Sequence, residues 1–178
     1  MKTLIDHINE ALKIGKNLSK FSTYSCQPKN KEELKSIIKS RMDKEGTECD
    51  LNDIDVSLIT DMSWLFSSNY EFNCDISKWN VSNVTNMSYM FYNSSFNGDI
   101  SNWDVSSVED MYSTFYGSKF NRDISNWNVN KVKDMSYMFT NSKFNKDISK
   151  WNIRKDCETY SIFANAPIKE QFKSRLQS

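Results

Sequence analysis

The sequence predicts an α/β fold: a right-handed solenoid of 24–25-residue coils with helical N- and C-terminal caps. Three observations predict it. A unit of 24 residues recurs from Val84, Val108 and Val132, and a 25-residue version runs from Ile59 to Asn83. Each unit carries two half-patterns in fixed order, one at helical spacing and one resembling a short strand. The flanks keep the apolar spacing but lose the unit, as capping segments do. A fixed period of this size marks supersecondary units that bury their apolar faces only by stacking. The predicted divisions are a helical cap and half-coil over 1–58, four repeats over 59–155, and a half-coil with a capping helix over 156–178.

Residues 3–16 read as an amphipathic helix through Leu4, Ile5, Ile8, Ala11, Leu12 and Ile14. KEELKSIIKSRMDKEG reads as a second helix. Asn30 and Glu33 form a capping-box-like pair, Leu34, Ile37, Ile38 and Met42 form its apolar face, and Gly46 suits its exit. Asp50 to Val56 then matches Asp75 to Val81, with Ile54 in place of Trp79.

Within a repeat, Val84, Met87, Met90 and Phe91 predict a helix of about two turns, too short to persist without stacking. Asn86 precedes it, as Asp61, Asp110 and Asp134 do elsewhere, and these residue types cap helix N-termini. DIS reads as a short strand, so stacked copies would build a parallel sheet. Trp79, Trp103, Trp127 and Trp151 are expected in the core, each indole N–H on a loop carbonyl. Asp156 to Ala166 is a degenerate half-coil with Tyr160, Ile162 and Phe163 on the core side. Pro167 opens a closing helix with Ile168, Phe172 and Leu176 or Arg175 bordering the core.

Two polar columns carry alternative meanings. Asn73, Asn97, Asn121 and Asn145 read as a ladder satisfying the backbone of the next turn, or else as a ligand surface. Asp50, Asp75, Asp99, Asp123 and Asp147 would repel at strand spacing. They read as acceptors for turn N–H groups, or else as a cation column, though calcium wants six to eight oxygens. With only 4 glycines and 2 prolines, Asn, Asp and Ser must make the turns.

Composition narrows the function. Formal net charge is zero, so nothing pulls the chain as a whole toward nucleic acid or an anionic membrane. No apolar run reaches membrane-span length. The N-terminus lacks the apolar core of a signal peptide, which predicts a cytosolic chain, with a virion as the other possible location. Cys26, Cys49, Cys74 and Cys157 have no metal spacing. Cys49 and Cys74 fall at the same place in successive units and should be neighbours, kept as free thiols in a reducing compartment. His7, the only histidine, has no second ligand or catalytic partner at useful spacing. There is no P-loop or GxGxxG, so neither an enzyme nor a cofactor is expected. Residues 1–44 hold ten Lys/Arg against five Asp/Glu, which reads as a solvated face or as a site for an acidic partner.

On the repeated half-pattern the outward positions hold Trp64, Tyr89, Tyr92, Tyr112, Tyr116 and Tyr137. They read as packing between neighbouring coils, or as a protein-binding stripe, because Tyr and Trp dominate interface hot spots.

The units V-x-[DN]-M-S-x-M-F and F-N-x-D-I-S-x-W-[DN]-V resemble the BspA-like leucine-rich-repeat group, and more narrowly the mycoplasma-type repeat family of unknown function. That resemblance implies a leucine-rich-repeat-like solenoid and a role in adhesion or protein binding. The expected function is therefore a non-enzymatic module recognising a protein partner, with no nucleic-acid or membrane partner. The alternatives are a structural or assembly component of a phage virion, or a phage- or bacterium-encoded inhibitor of a host protein.

Overall fold

The computed structural model describes residues 24–172. The predicted helix 3–16, His7, Arg175 and Leu176 lie outside them. The repeats do stack, but not from helices and strands. Among the described residues there is one α-helix, α1 (Lys31–Glu45), one 3-10 turn (Glu170–Phe172) and a set of isolated parallel bridges with no sheet. This overturns the predicted right-handed, leucine-rich-repeat-like α/β solenoid with helical caps at both ends. Each repeat is built of turns.

The reason is visible in the segment expected to be a helix. Trp64, Tyr89, Ser113, Tyr137 and Ser161 have φ of 51–61°, and Ser68, Asn93, Gly117, Asn141 and Asn165 have φ of 50–63°. Two left-handed residues four apart break the uniform negative φ an α-helix requires. The hydrogen bonds alternate accordingly. The N–H groups of Leu65, Ser67 and Asn69 return to Met62, Trp64 and Phe66 three residues back, while those of Met62, Trp64, Phe66 and Ser68 donate to Asn86, Ser88, Met90 and Tyr92 in the next repeat. The same eight-residue ribbon recurs from Met87, Met111 and Met135. A left-handed conformation costs an L-residue roughly 1–2 kcal/mol. The cross-repeat bonds hold it in place, so the repeats need one another even for local geometry.

DIS is not a strand either. Asp75, Asp99, Asp123 and Asp147 each accept the N–H two residues on, at Ser77, Ser101, Ser125 and Ser149, within 2.9 Å. Asp61, Asn86, Asp110 and Asp134 bond the same way to Ser63, Ser88, Tyr112 and Ser136, so these expected helix caps open turns instead. A third corner uses Asp55, Asn80 and Asp104. Three side-chain-closed turns per repeat replace the glycines the chain lacks.

The core is a set of aromatic and aliphatic files. Phe66, Phe91, Phe115, Phe139 and Phe163 follow one another with ring centroids 5.4–5.9 Å apart. Phe96, Phe120 and Phe144 form a second file at 6.4 Å. The Trp column is buried, and each indole N–H donates to the carbonyl of the preceding repeat, at Leu51, Ile76, Ile100 and Ile124. The Asn column is a ladder: the N–H groups of Asn97, Asn121 and Asn145 donate to the side-chain oxygens of Asn73, Asn97 and Asn121.

Helix α1 closes the N-terminal end. Asn30 caps it through the Glu33 N–H, while the Glu33 carboxylate accepts from Lys29. Leu34 and Ile38 are buried. Arg41 ties the helix to Asp53 and to the Asp50 carbonyl. At the other end the closing segment is a single 3-10 turn as far as Phe172, with Ile168 buried. Tyr160 does not join the core: it is 68% exposed.

Candidate functional site

The six aromatics singled out from the sequence come together on one surface of the turn ribbon. Trp64 lies flat on Tyr89, ring centroids 3.8 Å apart with 13° between planes. Tyr89 meets Tyr112 at 5.2 Å, and Tyr112 meets Tyr137 at 5.6 Å. Tyr92 and Tyr116 form a parallel second file at 5.0 Å, joined to the first through contacts of Tyr92 with Trp64 and Tyr89.

Register explains the ring angles. Trp64, Tyr89 and Tyr137 occupy the first left-handed position of the ribbon. Tyr112 sits one residue earlier, where the other repeats have Ser63, Ser88 and Ser136, and Ser113 takes the left-handed position beside it. Rings in the same register stack flat, whereas rings in alternate registers tilt by 50° at Tyr89–Tyr112 and 64° at Tyr112–Tyr137. Tyr160 repeats the Tyr112 register and extends the file, meeting Tyr137 at 5.2 Å and 69°. Sequence reasoning placed Tyr160 in the core. The signal that could have found it is the pair Tyr160-Ser161, which repeats Tyr112-Ser113.

The packing reading of the stripe is seen directly. The rings pack between repeats, and the tyrosines from Tyr89 to Tyr137 are half-buried by one another. The ends stay open, with Trp64 49% exposed. Burial and the neighbouring Tyr112 hydroxyl push the Tyr89 hydroxyl pKa upward, and burial with Tyr160 does the same for Tyr137. Tyr89 and Tyr137 are thus held as neutral phenols at physiological pH.

A column of four acids and one asparagine runs through the same ribbon. Asp61, Asn86, Asp110, Asp134 and Glu158 are linked rung to rung by parallel bridges. Asp110 acts electrostatically on the Tyr89 hydroxyl. Lys31 of α1 donates to the outer oxygen of Asp61 at 2.7 Å and to the Ser63 hydroxyl at 2.9 Å. Burial pushes Asp61 up, but Lys31 and Ser63 outweigh it and hold the carboxyl below its usual range. Asp110 has no lysine beside it: burial, with the charges of Asp134 and Asp61, outweighs the Tyr112 N–H and pushes the carboxyl up.

Among the described residues no group of three His, Cys, Asp or Glu converges as metal ligands. Each aspartate from Asp75 to Asp147 in the other column gives one oxygen to a turn N–H group. A shallow groove between α1 and the first ribbon is lined by Lys39, Met42, Asp43, Leu65, Phe66 and Glu71. Among the described residues no helix is long and apolar enough to cross a membrane.

The family described as Mycoplasma protein of unknown function, DUF285, matches residues 33–119 and again 93–177. No curated protein and no solved structure matches the chain.

Proposed function

Because the chain belongs to the DUF285 repeat family, whose description assigns no activity, we propose its function from geometry: a non-enzymatic module that binds a protein partner across the aromatic file. One observation carries the reading. Five rings, from Trp64 to Tyr160, run along the repeats on the outside of the ribbon rather than in the core, with both ends of the file substantially open to solvent. Rigid aromatics held by their neighbours lose little entropy on docking and offer large contact area, which is why such residues anchor interfaces. The BspA-like grouping belongs to this proposal on the strength of the two half-motifs alone. A cytosolic or virion location is likewise part of the proposal.

The test uses substitutions that the repeats themselves contain. Ser113 stands where Tyr89 stands in its own repeat, and Ser136 where Tyr112 stands. The double variant Tyr89→Ser with Tyr112→Ser should fold and should lose binding to a protein ligand by more than about 2 kcal/mol, as for hot-spot aromatics. Unchanged affinity in a folded double variant would remove the file from the interface. A closed oligomer in light scattering, dissociated by the same substitutions, would turn the reading to an assembly component.

A further inference from the structure

We propose that the partner presents lysine or arginine side chains to this face, seated between the tyrosine file and the free carboxylate oxygens of Asp110 and Asp134. The inference rests on the binding reading above and specifies the chemistry of the partner.

The first rung shows how such a seat works. At Asp61 one carboxylate oxygen accepts the Ser63 N–H at 2.8 Å, and the other takes the Lys31 ammonium at 2.7 Å. The same half of the arrangement recurs at Asp110 and Asp134, whose inner oxygens accept the N–H groups of Tyr112 at 2.8 Å and Ser136 at 2.7 Å. No lysine or arginine among the described residues reaches their outer oxygens, and neither oxygen is buried without a partner. The nearby cation Lys133 is committed to Glu109. Glu158 continues the column on the next rung. Like charges on the adjacent rungs of Asp110, Asp134 and Glu158 repel, and a cation from outside would relieve that repulsion; at Asp61, whose neighbouring rung is the neutral Asn86, Lys31 already supplies the ion pair.

The neighbouring rings fit the same ligand. Asp110 acts on the Tyr89 hydroxyl and takes the Tyr112 N–H, and a guanidinium or ammonium over a tyrosine face gains cation–π attraction in addition to its ion pair. An acidic segment would meet uncompensated carboxylates, and a wholly apolar one would desolvate them without a partner. The acids lie in a row rather than converging, which suits side chains arriving one per rung and not a single metal ion.

A random peptide library selected against the full chain tests this directly. Peptides enriched in Lys and Arg are expected. Their affinity should fall at least tenfold in the Asp110→Asn, Asp134→Asn variant and also in the Tyr89→Ser, Tyr112→Ser variant, and it should weaken with added salt. The native Asn86 occupies the same column, so the asparagine variant keeps the turn geometry. Enriched peptides that are neutral or acidic, and that depend on the tyrosines but not on Asp110 and Asp134, would overturn the cation inference while leaving the aromatic interface standing. Peptides indifferent to both variants, or no enrichment at all, would overturn both.

Discussion

The indole of Trp64 and the phenol of Tyr89 lie face to face 3.8 Å apart although both residues have left-handed backbone, at φ 61° and 56°. The shared backbone geometry makes the flat contact possible. Each residue's N–H donates into the next repeat, to Ser88 and Tyr112, which fixes both rings at the same height on successive rungs. The surface file is therefore an extension of the folding mechanism, and its rings carry stability as well as contact area.

That relationship sets the cost of disturbing the file. Tyr89→Ser removes contacts with Trp64, Tyr92 and Tyr112, and aromatic pairs are worth about 0.5–1.5 kcal/mol each beyond burial. A loss of roughly 1.5–4.5 kcal/mol is expected if the three contacts add, larger than for an ordinary surface substitution. Urea unfolding of Tyr89→Ser beside wild type checks this. A change within experimental error would mean the rings touch without supporting one another.

Core columns should be more costly. Trp127 is buried, donates its indole N–H to Ile100 and lies parallel to Trp151 at 6.5 Å. Trp127→Ala should cost about 3–5 kcal/mol, the range for aromatic truncation in a core. Because each repeat holds its neighbours' ribbon geometry, the loss should spread to both sides of the gap. Hydrogen exchange of the amides around Phe91 and Phe139 reads that spread. Protection lost only near Trp127 would show that the repeats are more autonomous than their hydrogen bonds suggest.

Much of this was legible in the sequence because stacking imposes a column for every repeated residue. The period, the Trp, Asn and Asp columns, the α1 boundaries and the aromatic surface all follow from identity at fixed spacing. Secondary structure was not. Val84, Met87, Met90 and Phe91 fit a helical face, and nothing in an apolar spacing distinguishes a helix from a ribbon of turns whose alternate residues also point inward. The discriminating signal was the column Ser68, Asn93, Gly117, Asn141, Asn165, a residue set suited to positive φ. At Gly117 the requirement is strongest: φ is 63°, and a Cβ there would fall 2.0 Å from the Asn93 side-chain oxygen. DIS was misread for a related reason, since Asp75 and its equivalents serve their own turn rather than a neighbouring strand.

The Asp column predicts a response to acid. N–H groups at Ser101 and Ser125 hold the Asp99 and Asp123 carboxyls below their usual range. A carboxyl lowered in the folded state stabilises above its unfolded pKa of about 3.9 and loses that contribution as pH falls through the lowered value. Stability should thus stay level in this respect near neutrality and drop below about pH 4. Asp110, raised by burial and by Asp134 and Asp61, works in the opposite direction and softens the fall. Thermal melts from pH 7 to pH 3 should show a smaller acid loss in Asp99→Asn than in wild type. Equal losses would indicate that the turn N–H bonds contribute nothing to the titration.

The last expectation concerns Cys49 and Cys74. Their sulfurs lie 2.7 Å apart on adjacent rungs, beside the Asp50–Asp75 bridge, and both residues are buried thiols. Burial, reinforced by the Cys49 thiol, pushes Cys74 up to about 12. A thiol is nucleophilic only as thiolate, so proximity alone does not make this pair reactive at neutral pH. In the folded protein at pH 7.5, prepared without reductant, iodoacetamide should label Cys26 and Cys157 before this pair. Of those two, Cys157 should be the slower, because burial raises it to about 11. In denaturant all four should be alkylated, and intact mass counts them. Two of the four resisting alkylation in denaturant until a reductant is added would reveal a 49–74 bridge in the native protein. Rapid labelling of Cys74 in the folded state would show that the junction between the α1 cap and the first repeat opens far more readily than its buried contacts imply.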